Sequence, residues 1–263
     1  MYTITDGFVG YFKHERNELY CKTDNKEKLE ASLRQQPVDW YYRINPDISY
    51  IRNNLGHRCK NIEEIDLNNY FLVTGCSPTE GLGLHLEDTY PDVLSKQLNC
   101  DYYNLALSAS NTDIMIHNLL TWAVKVKQKP KFLIIQPPNL LRFNLINQVK
   151  DEYQITTKGL WSSDRKSKEM LVVGNEIGYF QSQRELGFKL IKTYFDVPIV
   201  KVYTDLTAFD ADDLKKSPDE LTIFSYDIDT ARDTGHPGRM TNKNLVDKIL
   251  KKLRSGKQNA NHS

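Results

Sequence analysis

The stretch Tyr70-Phe71-Leu72-Val73-Thr74-Gly75-Cys76-Ser77-Pro78-Thr79-Glu80-Gly81 decides how the chain reads. Its first five residues are a short apolar run ended by glycine, which suits a strand buried on both faces. A helix-like stretch follows from about Thr89 to Leu98, so the segment is a β-turn-α unit. The pattern recurs downstream. Tyr102 to Leu107 is strand-like, and Met115, Leu119, Trp122 and Val126 repeat at four, three and four residues on one helical face. Lys131 to Gln136 gives a third strand, Val197 to Val202 a fourth after a helical stretch from about Asn175 to Tyr194, and Leu221 to Ser225 a fifth. Leu245, Val246, Ile249, Leu250 and Leu253 form an amphipathic closing helix. Strands alternating with helices require crossover connections, hence parallel neighbours covered on both faces. The expected fold is α/β, a three-layer α/β/α sandwich on a mainly parallel five-stranded sheet.

Outside this alternation three segments stand apart. Residues 1–65 hold Tyr, Trp and charged side chains around a short helical candidate near Lys26 to Arg34, and are expected to be an N-terminal extension to a domain at 66–254. About 144–168 is polar, with Leu160 and Trp161 its large apolar side chains in the second half; it reads as an insertion or lid of no legible fold. Residues 255–263 read as a polar, frayed tail.

Composition narrows the function classes. The chain has 263 residues with 35 Lys+Arg against 34 Asp+Glu, a formal charge of +1, which gives no strong electrostatic case for nucleic acid or an anionic membrane. Hydrophobic residues at 40% and charged residues at 26% are proportions of a folded domain with a sizeable core. Apolar runs such as Phe132 to Ile135 are too short to span a bilayer, and the start from Met1 through Thr3, Thr5 and Asp6 does not look like a leader, so a cytoplasmic location is expected. Cys21, Cys59, Cys76 and Cys100 form no CxxC pair and are expected to be reduced thiols, with no metal site. No cofactor is expected either: Gly81-Leu82-Gly83 lacks the third glycine of a dinucleotide loop. His14, His57, His85 and His117 have no partners at recognisable spacing and are assigned nothing, and Glu80 reads as a carboxylate favoured by a helix dipole. The oligomeric state is not legible.

In open parallel sheets, ligands bind beyond the carboxyl ends of the strands. Those ends carry Ser77 after the first strand, Asn104 to Ala109 after the second, Pro137-Pro138-Asn139 after the third, and Asp233-Thr234-Gly235-His236-Pro237 after the last. They hold the parts needed for acyl transfer. Ser77 is the candidate nucleophile, His236 its base, and Asp233 the group that fixes the imidazole. The Ser77 and Ala109 backbone N–H groups and the Asn139 side-chain amide are candidate oxyanion donors. Cys76 as nucleophile is disfavoured against a small thiol packed under the turn.

These blocks resemble the SGNH hydrolase superfamily, or GDSL esterases and lipases. Gly75-Cys76-Ser77-Pro78-Thr79-Glu80-Gly81 is similar to the family's Gly-Asp-Ser-x-x-x-Gly except at Cys76, and Asp233-Thr234-Gly235-His236-Pro237 matches its Asp-x-x-His block. The second block's glycine aligns with Ala109 within Asn104 to Thr112, with Ser108 or Ser110 as alternative equivalents, and Asn139 carries the third block alone, beside Pro137, Pro138 and Leu140. Asn54-Leu55-Gly56-His57-Arg58 is similar to a lead-in of some members, and the Gly-Cys-Ser form resembles SGNH-like proteins of tailed phages, which would place the chain in a host cytoplasm or a virion. The resemblance implies a flavodoxin-like sheet and a serine esterase acting on small acyl esters or acylated glycans. Two other readings stay open: O-acyl transfer, a variant of the same chemistry in which a sugar hydroxyl replaces water, and, from the departures at Cys76, Ala109 and Leu140, an impaired carbohydrate-binding or virion-associated module.

Overall fold

The computed structural model describes residues 2–11, 18–149, 152–204, 220–225 and 227–260. Strand β3 (Tyr70–Thr74) is buried along its whole length. It pairs in parallel with β4 (Asp101–Asn104) on one side and β5 (Leu133–Ile135) on the other. Beyond β5 lie β8 (Ile199–Tyr203) and β9 (Glu220–Phe224), also parallel, giving the order β4-β3-β5-β8-β9. In chain order that is 2-1-3-4-5, the flavodoxin-like arrangement, whose order reverses at β3, the place where open α/β sheets generally bind ligands beyond the strands' carboxyl ends.

Alternation along the strands sends side chains to two cores. Tyr70, Leu72, Leu133 and Ile135 meet Met115, Leu119 and Trp122 of α5 (Thr112–Lys125) and Ile191 and Phe195 of α7 (Tyr179–Phe195). Phe71, Val73, Ile134, Val200 and Val202 meet Tyr90 and Leu94 of α4 (Tyr90–Leu98) and Leu245, Val246 and Ile249 of α8 (Arg239–Ala260). Two helices on each face make the expected three layers. Among the described residues, no helix is long and apolar enough to cross a membrane.

Several boundaries differ from the sequence reading for local reasons. β4 stops at Asn104, short of Leu107, because the Asn104 side chain accepts the Ala106 N–H and donates to the Thr79 carbonyl, which turns the chain out of the sheet. The helical stretch read from Asn175 begins earlier and breaks: α6 (Arg165–Glu176) and α7 are separated by Ile177 and Gly178, the glycine at φ +65°. α8 continues to Ala260, past Ser255 where the polar tail was expected to begin, while 261–263 lie outside the described residues.

The insertion has a fold. Arg142–Val149 (β6) and Glu152–Gly159 (β7) pair in antiparallel register from Arg142↔Gly159 to Val149↔Glu152. The N-terminal residues form a second hairpin, β1 (Tyr2–Thr5) and β2 (Phe8–Tyr11), and β1 joins β7 at Tyr2↔Ile155. The result is a four-stranded antiparallel sheet, β2-β1-β7-β6, built from the two segments that do not follow the α/β alternation. The helical candidate near Lys26 is α1 (Lys26–Gln35), capped by the Asn25 side chain, and a short α2 (Tyr41–Ile44) follows.

Candidate active site

β3 ends against its neighbours so closely that the next residue has no room for a side chain. A Cβ on Gly75 would lie 2.3 Å from Thr79 Oγ1 and 2.8 Å from the Gln136 carbonyl oxygen. Cys76 then caps the one-turn helix α3 (Ser77–Glu80), which Gly81 closes in the left-handed region at φ +81°. This turn lifts Ser77 to a partly exposed position at the end of the sheet, while Cys76 stays buried beneath it.

Across the crevice, the loop before α8 brings up the other two groups. His236 Nε2 is 2.8 Å from Ser77 Oγ, and His236 Nδ1 is 2.7 Å from Asp233 Oδ2. An ionised carboxylate only accepts, so Nδ1 carries the proton and Nε2 accepts from the serine hydroxyl. The Asp233 carboxylate is fully buried, whereas the imidazole is 16% exposed. Burial alone pushes the Asp233 carboxyl up, but His236, the Thr23 hydroxyl and the Gly235 N–H outweigh it and hold the group below the usual carboxylate range. The dyad partner therefore stays negative at neutral pH.

The turn after β4 approaches from the other side. Ser110 N–H donates to the Leu107 carbonyl, and Ala109 sits at φ +64°, a conformation that glycine takes at lower cost. Two bonds tie this turn to the serine turn: Ser110 Oγ donates to the Gly75 carbonyl at 3.1 Å, and Ser108 N–H donates to Glu80 Oε2 at 2.5 Å. Among the described residues, no acceptor takes the Ser77 or the Ala109 N–H. Asn139 lies in the loop after β5, where its side-chain oxygen accepts the Leu141 N–H and the preceding Pro138 carbonyl accepts from buried Arg184 of α7. The structure thus joins Ser77, His236 and Asp233 directly and ties the Ala109 turn to them, while Asn139 stands on its own loop.

Several residues that the sequence reading did not single out hold this constellation. Thr23 Oγ1 donates to Asp233 Oδ2 at 2.8 Å, so that one carboxylate oxygen takes both the imidazole and the threonine hydroxyl. Next to it, Asp24 receives Nε and Nη2 of Arg232, at 2.9 Å to Oδ1 and 2.6 Å to Oδ2, and both side chains are buried. Arg232 also donates to the Leu19 and Pro46 carbonyls, which locks the loop before His236 onto residues 19–46. Asp229 accepts the Met240 and Thr241 N–H groups at the start of α8. Residues 18–58, within the segment 1–65 expected to be an N-terminal extension, thus contact the loop of Asp233 and the end of α3.

Glu80 does more than favour a helix dipole. Its buried carboxylate accepts from Tyr11 Oη, Arg52 and the Ser108 N–H. Burial raises its carboxyl, but Arg52, Ser108 and Arg58 more than offset this and hold it below the usual range. Arg58, fully buried over the Tyr50 ring, donates to four carbonyls, of Ser49, Glu80, Gly81 and Leu84, and so clamps the end of α3. His57 is a core imidazole between Tyr103 Oη and the Val9 carbonyl, as its lack of partners in sequence suggested. His85 and His117 bond backbone carbonyls, and His14 lies outside the described residues.

No protein-family model matches the chain, and no curated protein matches it. Solved structures similar to it include an acetyl xylan esterase from the rumen bacterium Butyrivibrio proteoclasticus, at 12% identity and a TM-score of 0.43, covering 79% of this chain and 66% of that one. A member of the lipolytic G-D-S-L family from Veillonella parvula gives 14% identity and 0.46, covering 69% and 96%. A family two carbohydrate esterase from Clostridium thermocellum in complex with cellohexaose gives 10% and 0.47, covering 73% and 64%. The chain spans slightly under two thirds of each of these two carbohydrate esterases. The fold assignment therefore rests on the chain's own strand order and layers.

Proposed function

We propose that the chain is a serine ester hydrolase of the SGNH type, with Ser77 as nucleophile, His236 as general base and acid, and Asp233 as the group that orients and stabilises the imidazole. The observation that carries this reading is the unbroken relay from Ser77 Oγ through both ring nitrogens to a buried, ionised carboxylate.

Ser77 Oγ attacks the acyl carbonyl carbon as its proton passes to His236 Nε2. The carbonyl oxygen takes the negative charge and meets the Ser77 and Ala109 N–H groups, with the Asn139 amide as third donor. The tetrahedral adduct collapses, His236 gives the proton to the leaving alkoxide, and the alcohol departs from an acyl-Ser77 ester. Water, deprotonated by His236, then attacks the acyl carbon; Ser77 regains the proton and the carboxylic acid leaves. No cofactor enters this sequence.

The substrates proposed are small acyl esters, O-acetyl groups on carbohydrate among them. The impaired-module reading drew on Cys76, Ala109 and Leu140. Cys76 occupies the cap position without displacing Ser77 from His236, and Ala109 keeps its N–H at a positive φ that glycine takes at lower cost. Both departures are thus compatible with a working centre. Labelling with a fluorophosphonate tests the reading: the adduct is expected on Ser77 by peptide mass spectrometry and is expected to vanish in Ser77→Ala. A folded wild-type protein that never labels contradicts it.

A further inference from the structure

Trp161 is an exposed large aromatic side chain that the hydrolase chemistry leaves unexplained. It sits in a tight turn at the end of β7, closed by the Ser162 N–H donating to the Gly159 carbonyl at 2.8 Å and by the Gly159 N–H donating to Ser162 Oγ at 3.2 Å. The ring lies flat over Gly159, where any Cβ would come within 2.4 Å of it. Arg142, directly opposite Gly159 across the hairpin, places its guanidinium 4.9 Å from the ring centroid. Gly159 and Arg142, paired across the hairpin, thus both pack against the indole. Yet Trp161 is 54% exposed, while Trp122 in the core is fully buried. A ring held by its neighbours that still keeps about half of its surface open to solvent is a built surface.

Its position connects it to the site. The same Arg142 donates through Nη1 to the Ser110 carbonyl at 2.7 Å, in the turn that carries Ala109 and that Ser110 Oγ fastens to Gly75. A second bond, Asn144 Nδ2 to Asn111 Oδ1 at 3.0 Å, fixes the hairpin to the cap of α5. The indole thus stands at the rim, a few contacts from the oxyanion donors, on a hairpin with no counterpart in the alternating α/β pattern.

Resting on the hydrolase reading above, we infer that Trp161 is a sugar-stacking subsite that binds a pyranose ring of an acylated oligosaccharide, one or more residues along the chain from the ester being cleaved. An aromatic face is electron-rich and attracts polarised C–H groups as it attracts cations. Pyranosides with equatorial hydroxyls present such a face of axial C–H bonds and keep their hydroxyls at the edge, where water or a guanidinium can reach them. Ring and turn are already fixed, so little ordering is required on binding.

The test compares O-acetylated xylo-oligosaccharides with p-nitrophenyl acetate. In Trp161→Ala, the ratio of kcat/KM for oligosaccharide to that for p-nitrophenyl acetate is expected to fall about tenfold, with the loss in KM, and Trp161→Phe is expected to retain most of the ratio. An unchanged ratio in a folded Trp161→Ala protein overturns the subsite while leaving the hydrolase reading intact. If the wild type hydrolyses neither substrate, calorimetric titration with underivatised xylohexaose decides the subsite separately. Binding that Trp161→Ala abolishes supports it; absence of binding by the wild type overturns it.

Discussion

At the residue scale, the site is a small number of atoms held from far away in sequence. Ser77 and His236 are separated by 159 positions and meet at 2.8 Å, and the carboxylate that aligns them is itself aligned by Thr23, 210 positions earlier. A hydrogen bond to a charged group contributes more than a neutral one, so losing Thr23 leaves Asp233 freer to rotate away from Nδ1. Thr23→Val is expected to lower kcat about tenfold, an effect of about 1.4 kcal/mol on the barrier, with KM nearly unchanged. Thr23→Ser, which restores the hydroxyl, is expected to recover most of it; equal kcat in all three proteins contradicts the positioning role. Ser77 and the pair Asp233 and His236, three apart, could be singled out in the sequence as candidates because a hydroxyl, a carboxylate and an imidazole at strand ends are the groups that acyl transfer needs. Thr23, Asp24 and Arg184 were not, since a polar residue that finds its partner through tertiary packing leaves no local pattern.

Elements show the same division. β3, α4, α5, β5, β8 and α8 follow from apolar runs and helical periodicity because burial against one sheet dictates both. The β6–β7 hairpin was unreadable: residues such as Asn144, Asn147 and Gln148 stand beside an exposed Ile146, so no face is apolar enough to announce a strand, and the further partner of β7, the strand β1, lies about 150 positions away in sequence. At the β3–α3 junction the constraint is steric. Gly75→Ala drives a methyl group into Thr79 Oγ1 and a backbone carbonyl, and overpacking of this kind costs about 1–3 kcal/mol. A melting temperature lower by roughly 2–12 °C is expected, together with reduced turnover because Ser77 rides on the displaced turn. A variant as stable and as active as the parent would contradict the tight junction.

Over the whole molecule, the α/β sandwich carries Ser77, Asp233 and His236, and residues 2–11 and 18–58 bind the end of the sheet beside them through buried polar contacts. That arrangement makes stability sensitive to acid. Burial pushes the His57 imidazole down to about 4, from an unperturbed value of about 6.5. The unfolded chain therefore binds the extra proton between those values, and stability falls as pH drops from about 6.5 to about 4, by roughly 3 kcal/mol in all. Glu80 and Asp233, both held below the usual carboxylate range, add a further loss as pH falls below about 4. Urea unfolding of the wild type is expected to show a clear drop in midpoint between pH 7 and pH 4.5, and His57→Gln a smaller one. Equal drops in the two proteins would remove His57 as the source.

The central claim is that Ser77 and His236 form one reaction centre. Steady-state hydrolysis of p-nitrophenyl acetate by the wild type, Ser77→Ala and His236→Ala, each verified as folded, tests it most directly. Because triad members act as a unit, either substitution is expected to lower kcat/KM by a factor on the order of 10⁴. A wild type no faster than the two variants would contradict the account.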